Sequence, residues 1–279
     1  MSTLNRILVL ADFSPKSDNA VRRAALLARR SGAELHLLHV VGESLPAGLY
    51  KWTTARTDSD VRIARVRRTL GALAARISSE HRLNATDTVR AGDAIAEVRA
   101  LADGMDLVVV AAKRSNPLRD FVLGTPTERL LRILQRPVLV VKLPAEFHYD
   151  RALVPMELDC HPQALLRMLA GALPEAALHL CHPRKDDGRA RNLALRTLAE
   201  QAASGAELVV VAKDGHSAMG EFLLGSLAQR LVAETRCDVM VVPRASLRSE
   251  AVRFAAAHAH GPLRPAVAAA RRFAHGSRS

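Results

Sequence analysis

The sequence predicts an α/β protein built from two tandem parallel-sheet α/β/α domains, the second short of one helix and one strand. Three observations carry that prediction. Apolar runs such as "RILVLA", "ELHLLHVV" and "DLVVVAA" show no alternation of polar and apolar residues, as expected of strands covered by helices on both faces. Segments with three- and four-residue apolar spacing stand between these runs, so strands and helices alternate, and right-handed crossovers are expected between parallel neighbours. The same series of blocks then occurs a second time in the same order.

Taken along the chain, "RILVLA" reads as the first strand and "SDNAVRRAALLARRSG" as the helix after it, stopped at Gly32, a residue suited to the left-handed turn beyond a helix. "ELHLLHVV" is the second strand. In "RIARVRRTLGALAARISSEHR" the arginines sit at helical spacing, which predicts a helix with one solvated face. "ATDTVRA" is strand-like and "DLVVVAAK" a buried strand. "FVLGTPTERLLR" predicts a closing helix and "RPVLVVK" a last strand.

The answering blocks are "RALVPMELDC", "AALHLCH", "ELVVVAKD", "FLLGSLAQRLVA" and "CDVMVVP". The offset between copies is 143 at His36/His179 but 101 at Gly124/Gly225, so the second copy is shorter by 42 residues. The loss falls between "LHLCH" and the helix "RNLALRTLAEQAAS", where the first copy has its arginine-rich helix and the strand "ATDTVRA". These blocks divide the chain into a first domain over residues 1–146, a truncated second domain over 147–243 and a basic Ala/Arg-rich tail over 244–279.

With 279 residues and 49% apolar content the chain can bury a core. No stretch approaches the roughly 20 apolar residues of a membrane span, and "MSTLNRILVLADFS" meets an acid too soon for a signal peptide, so a cytoplasmic, non-membrane protein is expected. Cys160, Cys181 and Cys237 are too few and too scattered for a disulfide framework and are expected to be free thiols. The net charge of +12 suggests an acidic partner until its location is considered: from Arg244 onward seven arginines face only Glu250, so half of the excess lies in the tail. A nucleic-acid partner is therefore not required. The tail, divided by Gly261-Pro262 and Pro265, reads as two short amphipathic or disordered segments.

With the blocks aligned, each copy resembles a universal stress protein domain. "RILVLADFSPKSDNAV" is similar to that family's first strand with its acid, and "VLGTPTERLLRILQRPVLVVK" to its closing Gly-Thr helix and last strand; the resemblance spans residues 4–143 and, with the deletion, 151–243. It implies an adenine nucleotide alpha hydrolase-like fold and a role in stress resistance or regulation. It also implies an internal pseudo-dimer in which residues 137–141 pair with residues 238–242, covering the sheet edges and leaving one chain able to be a monomer. A homodimer stays open as well.

Nucleotide-binding members of the family resemble one another in a loop G-x2-G-x9-G-[ST], with an acid at the end of the first strand. Glycines let backbone N–H groups crowd around phosphate oxygens, and the final Gly-Ser/Thr opens a helix whose positive end faces the anion. In the first copy the early positions are Ala111 and Arg114, leaving only Gly124 and Thr125, and Arg114 places a long side chain where phosphate would lie. In the second copy Ala212, Gly215, Gly225 and Ser226 match three positions of four, while the acid is Glu157, one methylene longer than Asp12. Asp12 reads either as a hydrogen-bond acceptor for ribose or base or as a cap of the helix that follows. Gly124 and Thr125 read first as an ordinary helix start, and Gly215 and Gly225 as a turn and helix start inherited from the family, with contact to phosphate the alternative in each case.

Cys160-His161 and Cys181-His182 should end neighbouring strands, but adjacent residues seldom point at one metal, and no metal site is expected. His36 and His179 read as packed strand residues. No nucleophile, base and oxyanion hole can be assembled, because no nucleophile-elbow sequence surrounds the serines of "DFSPKS" and "LGSLAQ", so no enzyme is expected. The functional expectation is a non-enzymatic stress-response or regulatory protein with degenerate nucleotide sites. Two alternatives stay open: an ATP-binding switch or slow ATPase using the second glycine loop, and a nucleic-acid contact through the tail. ATP in the second domain is the one cofactor left open, and protein partners are not named by the sequence.

Overall fold

The computed structural model describes residues 4–42, 55–112, 126–156, 162–181, 190–213 and 226–247. Its first half runs β1 (Arg6–Leu10), α1 (Pro15–Ser31), β2 (Glu34–Val41), α2 (Ala55–His81), β3 (Ala85–Ala91), α3 (Ala94–Ala102), β4 (Leu107–Ala111), α4 (Pro126–Ile133) and β5 (Val138–Val141). The second half runs β6 (Arg151–Pro155), α5 (Pro162–Ala172), β7 (Ala177–Cys181), α6 (Ala190–Ser204), β8 (Leu208–Lys213), α7 (Ser226–Glu234) and β9 (Asp238–Pro243). Matched against the first half, the described second half has no counterpart of α2 or β3.

Local chemistry explains the boundaries. Ser14 caps α1 with its hydroxyl oxygen accepting from the Ser17 amide, and Pro15 follows in the first turn, where a missing N–H costs nothing. Gly32 ends the helix at φ 72°, a left-handed conformation with little penalty only for glycine. In α2 the residues that turn inward are Leu70, Ala74 and Ile77, one helical stripe, while Arg62, Arg65, Arg67, Arg68 and Arg76 stay exposed. β4, β5, β8 and β9 are buried over nearly their whole length, which is why their sequences carry no alternation.

All nine strands form one sheet in the order β3-β2-β1-β4-β5-β9-β8-β6-β7. Neighbours within each half are parallel. The halves join through a single antiparallel pairing of β5 with β9, with Val138 opposite Val241, Leu139 opposite Met240 and Val140 opposite Val239. The last strand of each half thus covers the edge of the other, as the family resemblance implied. One apolar layer lies between the sheet and α1, α2 and α5, and a second between the sheet and α3, α4, α6 and α7. After β9, residues 244–247 form a helical turn whose Leu247 is fully buried in the first layer and whose Ser246 hydroxyl donates to the Gln135 carbonyl at 2.7 Å.

Candidate functional site

In each half the strand order reverses between the first strand and its inner neighbour, at β1/β4 and at β6/β8. Beyond the C-terminal ends of such strands a parallel sheet opens a crevice. Asp12 lies two residues past β1, Ala111 ends β4, and Ala212 is the penultimate residue of β8, so the structure places these three at the expected level.

In the first half the Asp12 carboxylate is turned onto the helix entry. Its Oδ1 accepts from the Ser14 amide at 3.1 Å and the Ser14 hydroxyl at 2.6 Å, while the Asp12 amide donates to Ser17 Oγ at 2.9 Å. Ser17 Oγ in turn donates to the Leu10 carbonyl at 3.2 Å. This lattice of short side-chain to backbone bonds fixes the turn between β1 and α1, and holds Phe13 at φ 60°. Phe13 stacks on His39 with ring centroids 4.8 Å apart, and His39 Nδ1 lies 2.6 Å from the Ala11 carbonyl. A carbonyl only accepts, so the proton of that imidazole sits on Nδ1. Across the crevice the Lys16 ammonium donates to the Ala112 carbonyl at 3.2 Å, tying the start of α1 to the residue after β4. Arg114, Gly124 and Thr125 lie outside the described residues.

In the second half Ala212 is buried and pairs with Val242 on β9. Glu157, Gly215 and Gly225 lie outside the described residues, and Ser226 is the first residue of α7. The residue after Ala212 does not face the crevice. Lys213 is 2% exposed, and its ammonium crosses the seam to the C-terminal end of α4, donating to the carbonyls of Leu131, of Leu134 at 2.7 Å and of Arg132 at 3.2 Å. Burial pulls its pKa down to about 8, against the helix-end carbonyls that favour the charged form. Lys142, just past β5, does the same in the opposite sense. Its ammonium donates to Val232 O at 2.6 Å, Thr235 O at 2.8 Å and Thr235 Oγ1 at 3.1 Å, at the end of α7. Burial lowers its pKa too, opposed by Cys237 and Asp238. Each closing helix is therefore clamped at its C-terminal end by a lysine from the opposite half.

The seam holds a further cluster that sequence reasoning did not find. Asp238, fully buried at the head of β9, accepts from the amides of Lys142 at 2.7 Å and Leu143 at 2.8 Å, and from the Tyr149 hydroxyl at 2.5 Å. Arg23 of α1 is 4% exposed; its Nε lies 3.5 Å from Asp238 Oδ2 and its guanidinium stacks 4.1 Å from the Tyr149 ring centre. The same guanidinium donates to the Phe147 carbonyl at 2.6 Å and the Pro144 carbonyl at 3.2 Å. Asn19 completes the clamp on the connecting segment, donating to Leu143 O and accepting from the Ala145 amide at 2.7 Å. Burial, then the Asp238 carboxylate, raise the Tyr149 pKa well above its ordinary value. One sequence signal pointed here: an acid standing alone in the apolar run "CDVMVV".

Among the described residues no group of three His, Cys, Asp or Glu side chains can hold a metal ion, and no helix is long and apolar enough to cross a membrane. Cys160, His161 and His182 lie outside the described residues. Cys181 and Cys237 are buried free thiols, each pushed up to about 11 primarily by burial. His36 is a half-buried strand residue with Nδ1 2.8 Å from Thr86 Oγ1. His179, expected to be packed likewise, is exposed, because no described strand flanks β7 as β3 flanks β2.

Comparison with known proteins agrees with this architecture. The family model described as "Universal stress protein family" matches residues 3–142 and 184–243, well over half of the chain. Among solved structures, a universal stress protein from Archaeoglobus fulgidus superimposes with a TM-score of 0.69 at 17% identity, over 87% of this chain and 97% of that one. A functionally unknown protein from Pseudomonas aeruginosa superimposes with a TM-score of 0.57 at 16% identity, over 91% of this chain and 98% of the other. At these identities the likeness is one of fold. None of the curated proteins matches the sequence significantly. The doubled parallel sheet joined through its last strands and the two matched segments together make this chain a member of the universal stress protein family.

Proposed function

We propose that this chain is a non-enzymatic stress-response or regulatory protein whose two nucleotide sites have degenerated unequally. The observation that carries the reading is the Asp12 carboxylate, which the resemblance would assign to a nucleotide and which instead accepts from Ser14 at 2.6 and 3.1 Å as part of the α1 entry. Lys16 spans the same crevice to Ala112, so the described groups of the first site are engaged with one another. Arg114 in the loop sequence adds bulk where backbone would approach phosphate. The test is calorimetric titration of the full chain with ATP and Mg²⁺, alongside a phosphate-release assay. The proposal expects no turnover and no binding that depends on Asp12; ATP hydrolysis lost on Asp12→Ala would overturn it.

A second reading keeps ATP binding in the second half. It is favoured by the placement of α7, a nine-residue helix that begins at Ser226 with its C-terminal end anchored by Lys142, directly after the sequence containing Gly215 and Gly225. Under this reading the full chain binds ATP once, and Gly225→Glu abolishes the heat of binding while Gly124→Glu leaves it unchanged. Equal loss from both substitutions would reject an unequal pair of sites.

A further inference from the structure

The doubled fold supplies its own control for the missing helix. On β2, Leu35 and Leu37 are fully buried in the layer that also contains Leu70, Ala74 and Ile77 of α2. Their counterparts on β7, at the offset of 143, are Leu178 and Leu180. Leu178 is only half-buried and Leu180 is 36% exposed. On the opposite face of the same strands Leu38 and its counterpart Cys181 are both buried, at 0% and 1% exposure. Among the described residues, then, the leucine pair of β7 is less covered than that of β2, on the face where α2 lies in the first half, while at the strand end of the opposite face Cys181 is as buried as Leu38, although His179 there is exposed.

The chain beyond β9 starts on that face. Leu247 is buried in the same apolar layer, and 32 residues follow it. β7 stands three strands from β9, about 14 Å at ordinary strand spacing, a distance that about five extended residues span. The composition of the segment partly matches that of the missing element: "EAVRFAAAHAH" and "PAVAAARRFAH" are rich in Ala, and the second carries the pair Arg271 and Arg272 as α2 carries Arg67 and Arg68. Its apolar residues also have the right spacing. Leu247, Ala251 and Phe254, and likewise Val267, Ala270 and Ala274, stand three or four residues apart in the sequence, as do Leu70, Ala74 and Ile77.

We propose that residues 248–279 fold back over Leu178 and Leu180, taking on the second half the place that α2 has on the first. The tail is then a structural cover rather than a free basic arm, and its arginines lie on the outer, solvated side as those of α2 do. Removing the cover exposes a leucine pair on the edge strand β7, a surface prone to association.

Amide hydrogen exchange of the full chain tests this, with Phe254→Asp and Val267→Asp introduced together so that chain length is kept. In the native chain the β7 amides bonded to β6 should exchange nearly as slowly as those of β2, independently of protein concentration. In the double variant the segment 177–181 should exchange at least tenfold faster while 34–41 is unchanged, which also shows that the first half remains folded. Exchange of β7 at the same rate in both proteins would overturn the proposal. Protection that rises with protein concentration would overturn it as well, since it would assign the cover to a second copy.

Discussion

The Tyr149 hydroxyl donates to Asp238 Oδ2 at 2.5 Å across the seam of the doubled sheet, inside a cluster that also takes in Arg23 of α1. Asp238 corresponds by position to Pro137 in the first half, so this cluster breaks the internal symmetry. It fastens the segment joining the halves to both α1 and β9, and so favours pairing of β5 with β9 of the same chain.

Removing one member of such a cluster leaves its partners buried and unpaired. Asp238→Ala strands the Arg23 charge and should cost about 3–5 kcal/mol in denaturant unfolding. Tyr149→Phe removes one bond from a carboxylate that keeps other donors and should cost about 1–3 kcal/mol. A loss under 1 kcal/mol for Asp238→Ala would show that the seam is held by the β5–β9 pairing alone.

Lys213 gives the protein a definite pH dependence. Its pKa is about 8 in the folded state, below the ordinary lysine value of 10.5, so between these values the unfolded chain binds more protons than the folded one. Stability contributed by this group therefore rises with pH across that window and is lowest below about 8, where the buried amine must be charged. The Lys213→Met variant should lack this rise. Urea unfolding of both proteins at pH 7.5 and pH 10 measures it, and parallel changes in the two would contradict the assignment.

Asp12 and Ser14 act together at the start of α1. Ser14→Ala and Asp12→Ala should each lower stability by about 1 kcal/mol through loss of the cap. Neither should alter any ATP affinity that the second half displays. A selective loss of binding in Asp12→Ala would return that carboxylate to a ligand role.

Cys181 and Cys237 are raised to about 11, so at pH 8 only about one thiol in a thousand is ionised, and both are buried. Alkylation at pH 8 should leave both unmodified until the chain is unfolded. Mass spectrometry of the digested native protein reads this directly, and rapid labelling of Cys237 would show that the seam opens.

The pairing of the last strands was implied by the family resemblance; the amino-acid sequence by itself determined the alternation of strands and helices, the duplication, and the place and content of the deletion. These follow from patterns that need only neighbouring residues: unbroken apolar runs in β4 and β8, the stripe Leu70, Ala74 and Ile77 in α2, the serine and glycine that bound α1. Whether Asp12 caps or binds was equally open from sequence, because both roles ask for a carboxylate at that point.

Tertiary structure alone decided where the buried charges go. A lysine that ends an apolar strand, as Lys142 and Lys213 do, reads as a solvated terminus, yet each finds its acceptors 79 to 93 residues away in the chain. Arg23 likewise reads as one of several arginines on α1 until the segment ending in Tyr149 closes over it. Such contacts depend on which helix end lies beside which strand end once the two halves share a sheet, and a linear pattern holds no record of that adjacency.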